Sequence, residues 1–321
     1  MKALSRLTLD LYRACRDMPV EKFQQWAMDR LKADLPFDAG KWASGHMEGP
    51  IPVVHSVTHY NRPAAMHEDY LRIRQQDFVA NEVLQAPNTA LLFNHISARQ
   101  GLSSEFVAYL QKWHTVHVAC CVTVDPFTNL TAGVALWREA RDAPFTEEQR
   151  RFFEAATPHL IETYAINRIA HVVRTTQPRN ASMYAGAVVD AQARLQVAPL
   201  GFQRMLLQEW PDWRGHRLPQ EITHLATDAA GARHVGRRIY LRAAQVGELF
   251  LVQAREKRVA DELTPRELQI ARLASGGLSY KQVALSLAIS AATVRTHLSA
   301  VYDKLAVRKQ AEMVSLLDEV Q

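Results

Sequence analysis

Residues 263–305 read LTPRELQIARLASGGLSYKQVALSLAISAATVRTHLSAVYDKL, and three consecutive helices can be read from this stretch. Thr264 stands before Pro265 and three residues before Glu267. That is a capping box with proline at the first helical position, where its missing N–H costs nothing. Leu268, Ala271 and Leu273 supply the first buried face, and Gly276-Gly277 ends the helix, since a left-handed cap favours glycine. Ser279 and Gln282 form a second capping box, opening a helix whose Val283, Ala284 and Leu287 point inward. The turn Ala288-Ile289-Ser290 leads to a third helix, with Ser290 as its cap.

The third helix separates into two faces by spacing. At ~100° per residue, Val294, Leu298, Val301 and Leu305 fall in one apolar stripe. Ala292, Thr296 and Ser299 lie opposite, with Arg295 on one flank. Small polar side chains and one arginine fit a major groove, where large acidic side chains would not. Asp303 shares that face but lies nearly two turns further on, past the N-terminal residues with which recognition helices read bases.

Charge points the same way. Arg266, Arg272, Lys281, Arg295, Lys304, Arg308 and Lys309 are opposed within their segment only by Glu267 and Asp303. The remaining basic and acidic residues balance, so the whole net charge of +5 sits in this segment. A polyanion-binding module on a neutral body has this distribution; a solvated basic face would account for the charge alone.

The ordered set Leu263-Thr264-Pro265-Arg266-Glu267, Gly277-Leu278-Ser279, Val283-Ala284, Leu287, Ile289-Ser290, Thr293-Val294-Arg295, His297-Leu298 and Lys304-Leu305 resembles the LuxR-type (GerE-like) DNA-binding domain. Tyr280 stands where asparagine is usual, Ala306 where glycine is usual, and Gln310 where a basic residue is common. The resemblance implies that Arg295, Thr296 and Ser299 face bases, with Thr293 at the helix entrance. His297, Lys281 and Lys304 would be candidates for backbone contact. Lys304 reads equally well as a solvated lysine, and His297, beside the apolar stripe, as a packing residue. The equivalent of the last helix pairs two such domains, which implies a homodimer through Met313, Val314 and Leu317.

At 321 residues the chain has room for two or three domains. The polar stretch Thr175 to Asn180 and the charged stretch Arg255 to Glu262 divide it into 1–176, 177–256 and 257–321. Helical patterns cover Leu4–Arg16 and Glu21–Leu35, and strand-like runs cover Val53–His59, Val116–Val124 and Thr131–Trp137. Thr146 and Gln149 then open a long helix that Pro158 should kink. In the second region, Ala187–Asp190 and Leu195–Ala198 read as a hairpin, Phe202–Trp210 as a helix, and Arg237–Arg242 and Glu248–Gln253 as strands. The first region resembles a GAF-like domain, chiefly in its last strand pair followed by Pro144-Phe145-Thr146-Glu147-Glu148-Gln149 and a long helix. The second resembles a PAS-like domain in its Val188-Val189-Asp190 opening and Leu218-Pro219 step. The expected fold class is therefore two α+β sensor regions followed by an all-α, four-helix helix-turn-helix domain.

Other function classes find little support. Three cysteines, Cys15, Cys120 and Cys121, are too few for a disulfide framework. The charged N-terminal helix pattern is unlike a signal peptide, and no apolar run approaches the ~20 residues of a membrane span. A cytoplasmic location without membrane attachment is the expectation. No phosphate loop or His-Glu-x-x-His spacing occurs, and His55 and His59 lack a third ligand in sequence. No enzyme activity, cofactor or metal site is expected. With no receiver-type aspartate pattern, a small-molecule effector is favoured. Trp42, Tyr60, Tyr70, Asp77 and Trp113 could line its pocket. Tyr70 and Asp77 resemble the tyrosine and aspartate of acyl-homoserine-lactone receptors, with Phe78 where proline usually follows. Two alternatives stay open: front regions that only dimerise or dock a partner, and a redox or enzymatic switch using Cys120 or Cys121.

Overall fold

A computed structural model describes residues 2–48, 51–176, 184–227 and 232–318. Contacts group the chain into two compact units. One holds Met1–Thr175, Ala187–Ala198 and Arg214–Leu218; the other holds Thr176–Gly186, Pro199–Trp213 and Pro219–Gln321. The polar stretch read as the first boundary lies mostly outside the described residues.

In the first unit, β1 (Ala39–Glu48), β2 (Ile51–Tyr60), β3 (Ala90–Phe93), β4 (His117–Val124) and β5 (Leu130–Arg138) make an antiparallel sheet of order β2-β1-β5-β4-β3. Helices α1 (Lys2–Asp17) and α2 (Val20–Asp34) cover one face together with the long α6 (Glu147–Thr176), through Leu7, Leu11, Phe23, Leu31, Phe153 and Leu160. The opposite face packs on α3 (Ala65–Ile73), α4 (Phe78–Gln85) and α5 (Ser104–Lys112), through Met66, Val83, Phe106 and Leu110. The capping box at Thr146 forms as read, with the Gln149 N–H 3.3 Å from the Thr146 hydroxyl oxygen. The helix continues through Pro158 as one element.

Strand β1 has no strand signature in the sequence. Its AGKWASGHME run is poor in β-branched residues. It forms because β2 and β5 pair with its two edges and satisfy its backbone, a non-local effect that propensity cannot register.

A second five-stranded sheet comprises β6 (Ala185–Asp190), β7 (Leu195–Val197), β8 (Arg233–Val235), β9 (Ile239–Val246) and β10 (Leu249–Glu256), in the order β7-β6-β10-β9-β8. It repeats the order of the first sheet strand for strand. Helix α7 (Leu200–Glu209) accompanies it.

Four helices complete the second unit: α8 (Pro265–Ser275), α9 (Tyr280–Leu287), α10 (Ala291–Leu305) and α11 (Gln310–Asp318). Their core contains Ile270, Val283, Val294, Leu298, Val301 and Leu305, so the stripe read from spacing is the buried one. The charged stretch Arg255 to Glu262, read as the second boundary, holds a buried ion pair. The Arg255 guanidinium donates two 2.6 Å hydrogen bonds to the carboxylate of Asp261, and both residues are buried.

Candidate nucleic-acid interface and ligand cavity

Helices α8, α9 and α10 start at their expected caps. The Thr264 hydroxyl accepts from the Glu267 N–H at 3.2 Å while the Glu267 carboxylate accepts from the Thr264 N–H at 2.7 Å. Gln282 returns a side-chain oxygen to the Ser279 N–H at 2.8 Å, and Ser290 accepts from the Thr293 N–H at 3.0 Å. Between α9 and α10 the chain turns through 107° across Ala288-Ile289-Ser290, within the range of a DNA-binding helix-turn-helix. Among the described residues no single helix is long and apolar enough to cross a membrane.

The first turns of α10 stand clear of the core. Ala292, Thr293, Arg295, Thr296 and Ser299 are exposed, and His297 is half-buried beside the stripe. Arg295 and the exposed Lys281 of α9 make no intramolecular polar contact among the described residues, so their charges are available to a ligand. The Thr293 hydroxyl lies 2.8 Å from that of Ser290, and Thr296 donates back to the Ala292 carbonyl at 3.2 Å.

Two basic residues are committed to the fold. Lys304, read as a candidate for backbone contact or as a solvated lysine, is paired internally: its ammonium lies 2.7 and 3.0 Å from the two carboxylate oxygens of buried Glu267. Burial pushes that carboxyl up, but Lys304 and the Thr264 N–H outweigh it and hold the group below its ordinary range. Arg266 spends its guanidinium on Gln269 and on the Leu287 carbonyl at the end of α9. Gln310, where a basic residue is common, donates to the Ala274 carbonyl at the end of α8 at 2.6 Å.

The residues read as pairing residues on α11 are placed differently from one another. Met313 and Leu317 belong to the domain's own core, 0% and 5% exposed, and only Val314 is partly open. A short helix that must close a small core has little apolar surface left over.

Ala306 ends α10 in the left-handed region, at φ 53° and ψ 38°. An L-residue there costs roughly 1–2 kcal/mol that glycine does not, partly offset by glycine's greater freedom when unfolded. Ala306→Gly is therefore expected to stabilise the chain by about 0.5–1 kcal/mol, read as a rise in the midpoint of thermal unfolding. An unchanged or lowered midpoint would contradict it.

In the first unit, a cavity of about 190 Å³ lies on the α3–α5 side of the sheet. Its walls are mainly apolar, and Lys41, His59, Tyr70, Asp77 and Tyr109 supply polar groups. The Tyr70 hydroxyl donates to the Asp77 carboxylate at 2.8 Å. Through its other oxygen, Asp77 caps α4 by accepting from the Ala80 N–H at 3.1 Å. Burial and the nearby Asp77 charge keep the Tyr70 and Tyr109 hydroxyls protonated, well above the usual tyrosine range. Burial and the neighbouring Lys41 and His67 push His59 down to about 4, so its ring is neutral at pH 7. Neither ring nitrogen of His59 has a hydrogen-bond partner among the described residues.

Three of the five expected pocket residues are elsewhere. Trp42 alternates with Lys41 and Ala43, so it faces the α2–α6 side and packs edge-on against Tyr164 at 5.5 Å. Tyr60 is on that side too, its hydroxyl bonded to Asp29 at 2.5 Å. Trp113 ends α5 beneath the Lys112 ammonium, outside the cavity lining. Tyr109 is legible only once α5 is in place, one helical turn from Phe106 on the same face. Cys120 and Cys121 point to opposite faces, one toward the cavity and one into the helical core. Burial pushes their thiols up to about 12 and about 11, leaving almost no thiolate for redox chemistry.

Comparison with known proteins assigns the C-terminal domain. Residues 261–317 match the GerE family, bacterial regulatory proteins of the luxR family. Over 57 residues the chain is 49% identical to proteins of Mycobacterium bovis and Mycobacterium tuberculosis, each named as an HTH-type transcriptional regulator. That match covers 18% of this chain and 6% of each relative. Among solved structures, SdiA of Escherichia coli aligns over 96% of this chain and 94% of its own, at 11% identity and a TM-score of 0.39. The N-acylhomoserine-lactone-dependent factor CepR2 of Burkholderia cenocepacia aligns over 52% of this chain and 98% of its own, at 12% identity and 0.38. A GAF domain/HD domain protein of Geobacter sulfurreducens aligns over 53% and 98%, at 14% and 0.33. Scores this low say nothing about what this chain binds.

Proposed function

We propose that this chain is a transcription regulator that binds duplex DNA through α10 and is controlled by a small molecule held in the cavity of its first sheet. Three modules, 1–176, 177–256 and 257–321, divide that work, with the second joining sensor to reader. The observation that carries the DNA reading is the exposed N-terminal face of α10. It presents Arg295, Thr296 and Ser299 with no competing internal partner for the arginine, in a segment holding the chain's whole net charge.

Arginine donates two hydrogen bonds to guanine O6 and N7, which makes it the strongest base reader on this face. Arg295→Ala is expected to weaken binding to a footprinted target by ~1–3 kcal/mol while changing affinity for random duplex much less. Lys281→Ala should weaken all sequences alike and lower the slope of log affinity against log salt by about one. Equal loss on target and random DNA for Arg295→Ala would reject base reading. Absence of any salt-dependent retardation by the full chain would reject the DNA reading itself.

The sensor reading is supported by the cavity. Apolar walls supply affinity, and convergent polar groups on Asp77, Tyr109 and His59 supply orientation. One recognition helix reads too few base pairs to define a site in a genome, so a homodimer on a two-fold-related site completes the proposal. With Met313 and Leu317 buried, the front regions are the better candidates for that pairing. Sedimentation of the DNA complex tests it.

A further inference from the structure

Near the end of β1, the first unit gathers a second set of polar side chains that do not line the cavity. We propose that His46, Glu48 and His216 form a binding site for a divalent transition-metal cation, with zinc(II) as the fitting ion. Their donor atoms all lie within 4.8 Å of one another. His46 Nε2 is 3.1 Å and His216 Nε2 3.8 Å from Glu48 Oε1. Ligands held about 2.0–2.2 Å from a tetrahedral ion stand roughly 3.3–3.6 Å apart, so these separations bracket the required one. Two imidazoles and one carboxylate are a zinc donor set that leaves a fourth position for water.

A bulge in the hairpin builds this arrangement. Register shifts between Ser44 and Gly45, pairing Ser44 with Ser56 and Gly45 with Val54, so His55 is the extra residue of a β-bulge. A Cβ on Gly45 would meet the Val53 carbonyl oxygen at 2.1 Å, so only glycine permits this close approach. The bulge brings His55 Nε2 to 2.7 Å from His46 Nδ1. With an ion on Nε2, His46 carries its proton on Nδ1 and donates it to His55, the outer partner that orients a ligating imidazole. The His216 backbone is held at both ends. Its carbonyl accepts from the Leu195 N–H at 2.7 Å, and the N–H of neighbouring Gly215 donates to the Phe127 carbonyl at 2.7 Å.

His216 Nε2 is buried with no hydrogen-bond partner, and 3.8 Å from a carboxylate is too long for one. A cation would give the His216 nitrogen a partner and would replace the 3.1 Å hydrogen bond between His46 Nε2 and the Glu48 carboxylate. The rings of His46 and His216 lie face to face at 3.8 Å and 22°; ligation of one ion by both would require the His216 ring to tilt out of this stack. Asp190 pairs with the neighbouring Arg194 at 2.9 Å and offsets its charge. A bound ion would fasten the β1–β2 hairpin to Arg214–Leu218 within this unit.

The test uses the untagged full chain, stripped with chelator and titrated with zinc(II) against a chromophoric competitor. One equivalent should bind. Glu48→Gln and His216→Ala should each weaken that equivalent by at least tenfold, as loss of metal-site partners does. The Glu48 side chain is 54% exposed and that of His216 19%, so these variants should fold, which circular dichroism checks. His46 is fully buried and is left intact. Cobalt(II) should give d–d absorption in the wild type that both folded variants lack. No binding of either ion, or equal binding by wild type and both folded variants, would overturn the site.

Discussion

Asp261→Ala is expected to destabilise the chain by about 3–5 kcal/mol, the usual consequence of leaving half of a buried ion pair uncompensated. Arg255 and Asp261 are 6% and 7% exposed and joined by two 2.6 Å hydrogen bonds. The Arg255 guanidinium also donates to the Tyr184 hydroxyl at 3.0 Å and lies 4.4 Å from the Tyr240 ring centroid. Removing the carboxylate strands a guanidinium that water reaches poorly. It also frees the N–H of Arg258, which Asp261 accepts at 2.7 Å. Equilibrium denaturation should show the loss as a lower midpoint. The double replacement Arg255→Met with Asp261→Leu should recover most of it, because a well-packed apolar pair avoids the desolvation cost. A single variant within about 1 kcal/mol of wild type would show that the pair is better solvated than its burial implies.

Leu317→Asp is expected to unfold the C-terminal domain instead of merely parting a dimer. Leu317 and Met313 lie in the same small core as Ile270, Val301 and Leu305. Truncating a buried leucine to alanine alone costs about 2–5 kcal/mol, and a carboxylate there must be desolvated or protonated as well. Loss of helical signal and of DNA binding at every concentration should follow together. A folded variant that binds DNA only as a monomer would instead place Leu317 in an intermolecular contact. Val314→Asp separates the two cases, since its side chain is only partly covered and substitution there should leave the core intact.

Legibility differs between the two ends of the chain for a physical reason. Capping boxes, the Gly276-Gly277 stop and a 3.6-residue apolar stripe act over three or four residues. Thr264, Ser279, Ser290 and the Val294–Leu305 face can therefore be placed from the residues alone. The departures are legible too, and the fold accommodates two of them in specific ways. Ala306 takes the left-handed cap at φ 53°, and Gln310 bonds the carbonyl end of α8. In the front sheet, β1 is invisible to local patterns because its partners are remote in sequence. With it goes the knowledge of which face each pocket candidate occupies. Only Tyr70 and Asp77 of the five reach the cavity; Lys41, His59 and Tyr109 join them.

By itself, the sequence determined the helix boundaries of the reading domain, its outward face at Arg295, Thr296 and Ser299, and the gathering of all net charge around it. These depend on local hydrogen bonding, helical periodicity and composition. Tertiary structure alone decided which basic residues remain available, because Lys304 and Arg266 are claimed by partners 37 and 21 residues away. It alone buried Met313 and Leu317, paired Arg255 with Asp261, and brought His216 to His46 and Glu48. Such pairings follow from chain closure over long separations, on which no local pattern of residues bears.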